Sequence, residues 1–379
     1  MEEQLSPVRR RAVLLALLAA TSAAAEAGRL RKVWELNVES AAQPGKRPTI
    51  SSPHVYAVSF SPNGQRIAAV VGESMEQESL VLVDITNPKT NGARYEVRPP
   101  TSEPEIQNGV AISWSNSGEA ITLRSIIHIS DGKTCALPPS QFFFFGANRV
   151  AGLDPARIKY QAWNEPNPWR LLFFDEDCKD AGTWEIPYVF SISDASADRG
   201  LLCILPRGEL GPSPKRPVMQ EVLIVSPSDK RVVQRWNIHA IDLGLLFADS
   251  GKALCGMDGD EKHGAAHCWS VDSGKETGVT KGLNIHQPMR TALHAQRAVL
   301  SDYGWGIDLE GLRARIGALK RRVIWDFKIG KELASWKPKW QKTRSTKELH
   351  EPYKFAISPD GEYVLEGGDG VLALYKIEP

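Results

Sequence analysis

The densest grouping of side chains that could do chemistry lies between Asp258 and Cys268, where three carboxylates, two imidazoles and a thiol fall within one short segment. These are the groups that hold zinc and related ions. The spacing of His263 and His267 would share one face of a helix, but the flanking runs alternate like strands, and a hairpin loop does not gather residues in that way. The segment matches no zinc pattern. No resident metal and no cofactor is therefore expected, and Asp258, Asp260, His263 and His267 are the positions at which a metal would have to be sought.

A second kind of chemistry is recognition by flat apolar surfaces. Tyr160, Trp163 and Trp169 stand among Pro155, Pro166 and Pro168, and Tyr303 and Trp305 stand among glycines. Aromatic rings on restrained segments make platforms for sugars, peptides or partner proteins. The same rings could instead fold down as plugs. Between Asp308 and Arg322, Leu309, Leu312, Ile316 and Leu319 recur at helical spacing, with Arg313, Arg315, Lys320, Arg321 and Arg322 at other positions. That pattern predicts a short amphipathic helix with a basic side. Arg313 and Arg315 join the five aromatics as ligand-binding candidates, a solvated surface being the other meaning of such a charge run. Phe142 to Phe145 reads as buried strand rather than as a cofactor box.

Enzymatic signatures are absent: there is no nucleophile elbow, no HExxH, no phosphate loop, and no Ser, His and acid at a telling spacing. Asp194, Asp249, Ser117 and Asp360 fall in turns, where capping of backbone groups accounts for them. No catalytic residue is assigned on this basis.

The elements that would position these residues are short strands in repeating units. The cleanest unit is Tyr353 to Pro379, in which an alternating run, the turn Ser358-Pro359-Asp360-Gly361 and two further strands follow one another. It stops one strand short of four. Earlier units begin at Tyr56 (turn Ser61-Pro62-Asn63-Gly64), Gly109 (turn Ser115-Asn116-Ser117-Gly118), Phe142, Val189, Gly244 (turn Asp249-Ser250-Gly251) and Met289. Seven units at a period of roughly 40 to 50 residues carry the signature of a β-propeller. The turn Ser-Pro-Asn/Asp-Gly, with Val271-Asp272-Ser273-Gly274-Lys275 and Trp325-Asp326-Phe327-Lys328-Ile329-Gly330-Lys331, resembles the WD40 and YVTN-type propeller repeats. The resemblance is at the level of architecture. It implies an all-β fold over residues 28–379, a single propeller of seven four-stranded blades.

A ring of sheets must be closed, or its last sheet exposes an unpaired edge. The strand from Arg31 to Val38 has no partner nearby and is expected to pair beside Val371 to Ile377, completing the last blade. Because strands alternate in direction, connections after strands one and three share one face of the disc. Those connections are short. The long ones, Leu153 to Arg170, Pro206 to Glu221, Met257 to Ala266 and Asp302 to Arg322, follow strand two and share the other face with the links between blades. Long loops cost closure entropy and are commonly retained for binding, so the long-loop face is the expected site of function and the short-turn face the least expected.

Arg9-Arg10-Arg11, an apolar run from Ala12 to Ala20 and the small residues Ala23-Ala24-Ala25 have the order of a secretory signal over residues 1–27. The run is short for a transmembrane helix. A formal net charge of +1 gives no field for nucleic acid. Export would permit disulfides among the five cysteines, with Cys255 and Cys268 on consecutive strands the favoured pair. The alternative is five small apolar strand residues. The expectation is an exported, periplasmic or extracellular, monomeric binding scaffold for a protein, peptide or glycan. A propeller hydrolase, lactonase or oxidoreductase with its site at the channel mouth is the alternative.

Overall fold

A computed structural model describes residues 28–38, 54–72, 78–88, 94–96, 112–338 and 355–378, with breaks at 124, 139, 147, 155–168, 188–189, 207–217, 241, 261–262, 309–312 and 369. Residues 1–27 lie outside the described part, so the signal segment does too. Every described element is a strand. Blade 1 is β2 (His54–Phe60), β3 (Arg66–Gly72), β4 (Glu78–Asp84) and β5 (Arg94–Glu96). Blade 2 is β6 (Ser113–Trp114), β7 (Ala120–Thr122), β8 (Ser125–His128) and β9 (Thr134–Ala136). Blade 3 is β10 (Phe142–Phe145), β11 (Arg149–Leu153), β12 (Trp169–Asp175) and β13 (Asp180–Ile186). Blade 4 is β14 (Phe190–Ser196), β15 (Leu201–Pro206), β16 (Val218–Ser226) and β17 (Arg231–Ala240). Blade 5 is β18 (Asp242–Ala248), β19 (Ala253–Asp260), β20 (His263–Ser270) and β21 (Glu276–Val279). Blade 6 is β22 (Ile285–Thr291), β23 (Arg297–Asp308), β24 (Arg313–Asp326) and β25 (Lys331–Trp336). Blade 7 is β26 (Phe355–Ile357), β27 (Tyr363–Gly367) and β28 (Val371–Glu378), completed by β1 (Arg29–Asn37).

The closure is the one the sequence calls for. β1 runs antiparallel to β28, with Leu30 opposite Ile377 and Leu36 opposite Leu372. Seven antiparallel sheets then form a ring in which β26 of blade 7 returns to β2 of blade 1. The core lies between blades, each sheet packing its apolar face on the next. Val55, Val58, Ile67 and Val81 of blade 1 pack with Leu365, Leu372 and Leu374 of blade 7. The four phenylalanines of β10 are all buried, as strand core.

The first strand of each blade has one edge without a sheet partner, and adjacent blades supply side chains to it. Ser113 Oγ accepts the Phe144 N–H (3.0 Å), Thr122 donates to the Phe142 carbonyl (2.7 Å), and Thr291 donates to the Phe247 carbonyl (2.7 Å). Ser193 both donates to the Leu245 carbonyl and accepts its N–H, at 2.8 and 2.9 Å. Asp194 lies in β14 rather than in a turn, contrary to the expectation, and its Oδ2 accepts the Phe247 N–H at 2.7 Å. An unpaired edge group buried between blades would cost about as much as a lost hydrogen bond, which these side chains prevent.

Two disulfides are present. Cys255–Cys268 joins facing residues of β19 and β20, as anticipated, while Cys135–Cys178 ties β9 of blade 2 to the turn between β12 and β13 of blade 3. The second was hidden because its cysteines meet only across a blade boundary. Cys203 is free and buried. No helix among the described residues is long and apolar enough to cross a membrane.

Candidate functional site

The helix anticipated between Asp308 and Arg322 is instead the end of a β-hairpin. β23 and β24 pair from Arg297 with Asp326 out to Asp308 with Arg313. Tyr303, Trp305 and Ile307 alternate with Gly304, Gly306 and Asp308, a period of two that builds a strand and offers its backbone edge to the returning chain. Ile316 and Leu319 then stand opposite Trp305 and Tyr303, and cross-strand pairing outweighs the marginal stability of a lone short helix.

β22 pairs β23 only as far as Asp302, and β25 pairs β24 only as far as Arg322, so the rest of the hairpin extends beyond its blade as a two-stranded arm. The arm lies on the face of the long connections. Its register sorts the expected ligand residues into two sets. Tyr303, Trp305 and Ile307 sit opposite Leu319, Ile316 and Ala314, whereas Arg313 and Arg315 sit opposite Asp308 and Gly306, at the alternate positions.

The root of the arm is a polar network. Arg321 donates to Asp302 (3.0 Å), Glu332 (2.8 Å) and the Ser335 hydroxyl (3.0 Å). Arg322 pairs with buried Glu366 of blade 7 at 3.4 Å, lies 3.9 Å over the Phe355 ring, and shares Glu366 with the Trp336 indole N–H at 2.7 Å. These two arginines are structural, which corrects their assignment to a basic outer surface.

Tyr160 and Trp163 lie outside the described residues. Trp169 opens β12, where it is buried and packs on Phe190 with ring centroids 6.0 Å apart, so its ring serves the blade core. The segment considered for metal is also largely strand: β19 and β20 pair Asp258 with Ala265 and Asp260 with His263. His267 is committed to Glu276, Nδ1 to Oε2 at 2.6 Å, and stacks on Trp269. Among the described residues no group of three His, Cys, Asp or Glu side chains could hold a metal ion. The side chains of Asp258, Asp260 and His263 are outside the described part.

The short-turn face holds a cluster that the sequence did not expose. In blades 1, 2 and 7 the first turn residue is serine, whose hydroxyl meets the third residue: Ser61 with Asn63 (2.7 Å), Ser115 with Ser117 (3.1 Å), Ser358 with Asp360 (2.5 Å). In blades 4, 5 and 6 the third residues are Asp198, Ser250 and His294, and they turn to one another instead. Ser250 Oγ lies 2.8 Å from His294 Nδ1, and Asp198 Oδ2 lies 3.7 Å from that same nitrogen. His294 Nε2 lies 3.2 Å from the Pro62 carbonyl of blade 1, and the His294 amide donates to the Pro359 carbonyl of blade 7 at 2.7 Å. One histidine thus bridges turns from blades 4, 5, 7 and 1 where the first strands end. The signal was available in the repeats, as the loss of the first-position serine in Ala248 and Ala292.

No family model and no curated protein sequence matches the chain. Solved structures do. A chain of a mitotic checkpoint complex superposes with a TM-score of 0.53 at 11% identity, over 94% of each chain. The WD40 repeats of RRP9 superpose with a TM-score of 0.51 at 8% identity, over 92% of this chain and 100% of that one. At such identities the likeness speaks for the fold. The chain is a seven-bladed β-propeller with the architecture of the WD40-repeat propellers.

Proposed function

We propose that this chain is an exported, monomeric scaffold that captures a partner protein on its long-connection face, through the arm formed by β23 and β24. The observation that carries the reading is the arm's register. It pairs Tyr303, Trp305 and Ile307 with Leu319, Ile316 and Ala314 across strands that leave their sheet, with a register shift between Tyr303 and Trp305. Aromatic and aliphatic residues gathered in that way supply the centre of protein interfaces. The ion pairs of Arg321 and Arg322 hold the arm's base to blades 6 and 7, lowering the entropy lost on docking. The propeller neighbours agree with a role in protein assembly, one of them being part of a checkpoint complex. A peptide or a glycan is the other ligand class such an aromatic surface suits.

The test is affinity capture with the native chain and with Trp305→Ala/Ile316→Ala. The double variant is expected to melt like the native chain and to lose the captured protein. Undiminished capture sinks the reading. Export from the basic and apolar N-terminal segment predicts a mature protein that begins near residue 28, which N-terminal sequencing of protein from its host would show.

A further inference from the structure

We propose that Ser250, His294 and Asp198 form an acyl-transfer site at the short-turn mouth of the propeller, with Ser250 as nucleophile, His294 as its base and Asp198 as the positioning residue. This goes beyond partner capture and does not rest on it.

A serine hydroxyl is a weak nucleophile unless a base lies within hydrogen-bond reach and is itself oriented by a third group. Both conditions are met. A carbonyl can only accept, so the contact with Pro62 O calls for a proton on His294 Nε2, which in the neutral ring is the tautomer that leaves Nδ1 free of a proton. In that tautomer Nδ1 is the acceptor for the Ser250 hydroxyl, whose Oγ lies 2.8 Å away. Asp198 Oδ2, at 3.7 Å, is too distant to hydrogen-bond that nitrogen, but close enough to stabilise the positive charge that appears when Nδ1 takes the serine proton.

The hydroxyl is not needed by its own turn. In blades 1 and 7 the third residue also accepts the amide two positions on, Gln65 N–H to Asn63 at 3.0 Å and Glu362 N–H to Asp360 at 2.9 Å. In blade 5 the equivalent amide, of Lys252, goes to the Asp249 carbonyl at 3.1 Å, and Ala248 offers no hydroxyl. Asp249 and Ser250 both adopt left-handed backbone, φ 52° and 53°, whereas the turns of blades 1, 2 and 7 place only glycine there. This conformation is unfavourable for residues with side chains, and here it accompanies the approach of the Ser250 hydroxyl to His294.

The amides around the nucleophile limit the substrate. Those of Ser250, Gly251 and Lys252 are spent on the carbonyls of Leu293, Ala248 and Asp249, so this turn offers no preformed oxyanion hole. Lacking one donor costs about 10²- to 10³-fold in rate. The substrate class is therefore carboxylic esters with a good leaving group, such as aryl esters. Ser250 Oγ adds to the ester carbonyl carbon as its proton passes to His294 Nδ1. The carbon–oxygen bond to the leaving group then breaks, and Nδ1 returns the proton to it as an alcohol or phenol. Water repeats the sequence on the acyl-serine, releasing the acid and restoring the hydroxyl.

The experiment treats the full native chain with a fluorophosphonate, which exchanges fluoride for a serine oxygen, and maps the product by tandem mass spectrometry. The label is expected on Ser250, and absent from Ser250→Ala, with hydrolysis of p-nitrophenyl acetate lost in parallel. His294→Gln should slow labelling at least tenfold. Asp198→Asn should slow it several-fold and Asp198→Glu recover most of the rate, which a purely structural carboxylate would not do. Mapping on the native chain decides the matter even if a variant fails to fold. An unlabelled Ser250, or His294→Gln labelled at the native rate, overturns the proposal.

Discussion

The indole N–H of Trp34 donates to the carbonyl of Ile85 at 3.0 Å, joining the strand that closes blade 7 to the residue that follows the third strand of blade 1. Trp34 and Leu36 also pack against the apolar cluster shared by those two blades. The N-terminal strand thus fastens the ring twice, by its ladder with β28 and by its side chains. Removing residues 28–38 should cause a large fall in the melting temperature, because it strips β28 of its partner and opens apolar surface between blades. Trp34→Phe should cost only about 1 kcal/mol, the net worth of one hydrogen bond. A truncated chain that melts with the native one would show that the ring is held elsewhere.

Cys135–Cys178 spans 43 residues and Cys255–Cys268 spans 13. Loop-closure entropy assigns them about 4 and about 3 kcal/mol respectively. Reductant should therefore lower the melting temperature, and Cys135→Ser/Cys178→Ser should reproduce the larger share. Burial pushes the Cys203 thiol well up, with the nearby Asp194 charge adding to it. Native protein should react with no thiol reagent and denatured, non-reduced protein with one equivalent. Several reactive thiols in the native state would contradict the pairing.

Burial pushes the Asp194 carboxyl up to about 6, against the Phe247 and Ala195 amides and the charge of Arg290, which pull it down. An unfolded aspartate titrates near about 4. Between those values the folded chain keeps a proton that the unfolded chain has lost, so this group's contribution to stability falls as pH rises from about 4 to about 6. Asp194→Asn should remove that slope, a difference on the order of 2–3 kcal/mol across the window. Urea unfolding at several pH values measures it, and parallel profiles for the two proteins would rule it out.

The pair Arg322 and Glu366 is 5% and 3% exposed, while Arg31 and Glu378 are 58% and 46% exposed. Glu366→Ala leaves a guanidinium buried without its carboxylate and should cost about 3–5 kcal/mol. Glu378→Ala should cost at most about 1 kcal/mol. Equal losses for the two variants would mean that the interface between blades 6 and 7 admits water.

Architecture was legible because it rests on local patterns. Period-two strands, glycine turns and a missing fourth strand in blade 7 are written along the chain, and the need to cover an edge puts the strand from Arg31 to Val38 beside Val371 to Ile377, whereas the register, Leu36 opposite Leu372, came only with the structure. What failed was any reading that depended on a partner distant in sequence. Leu309, Leu312, Ile316 and Leu319 fit a helical period, and only the presence of Trp305 and Tyr303 across the hairpin makes Ile316 and Leu319 strand residues. Trp169 has the composition of a platform and the position of a core residue. Cys135 meets Cys178, and Arg322 meets Glu366, only across a blade boundary.

The cluster at the short-turn mouth marks the same division. Local pattern shows that the first strands end in tight turns, and that blades 5 and 6 have alanine where blades 1, 2 and 7 have serine. Only the closed ring decided what the released side chains meet. Asp198, Ser250 and His294 are spread over 97 positions of sequence, and it is the curvature of consecutive blades about one axis that brings them within 4 Å of a shared nitrogen.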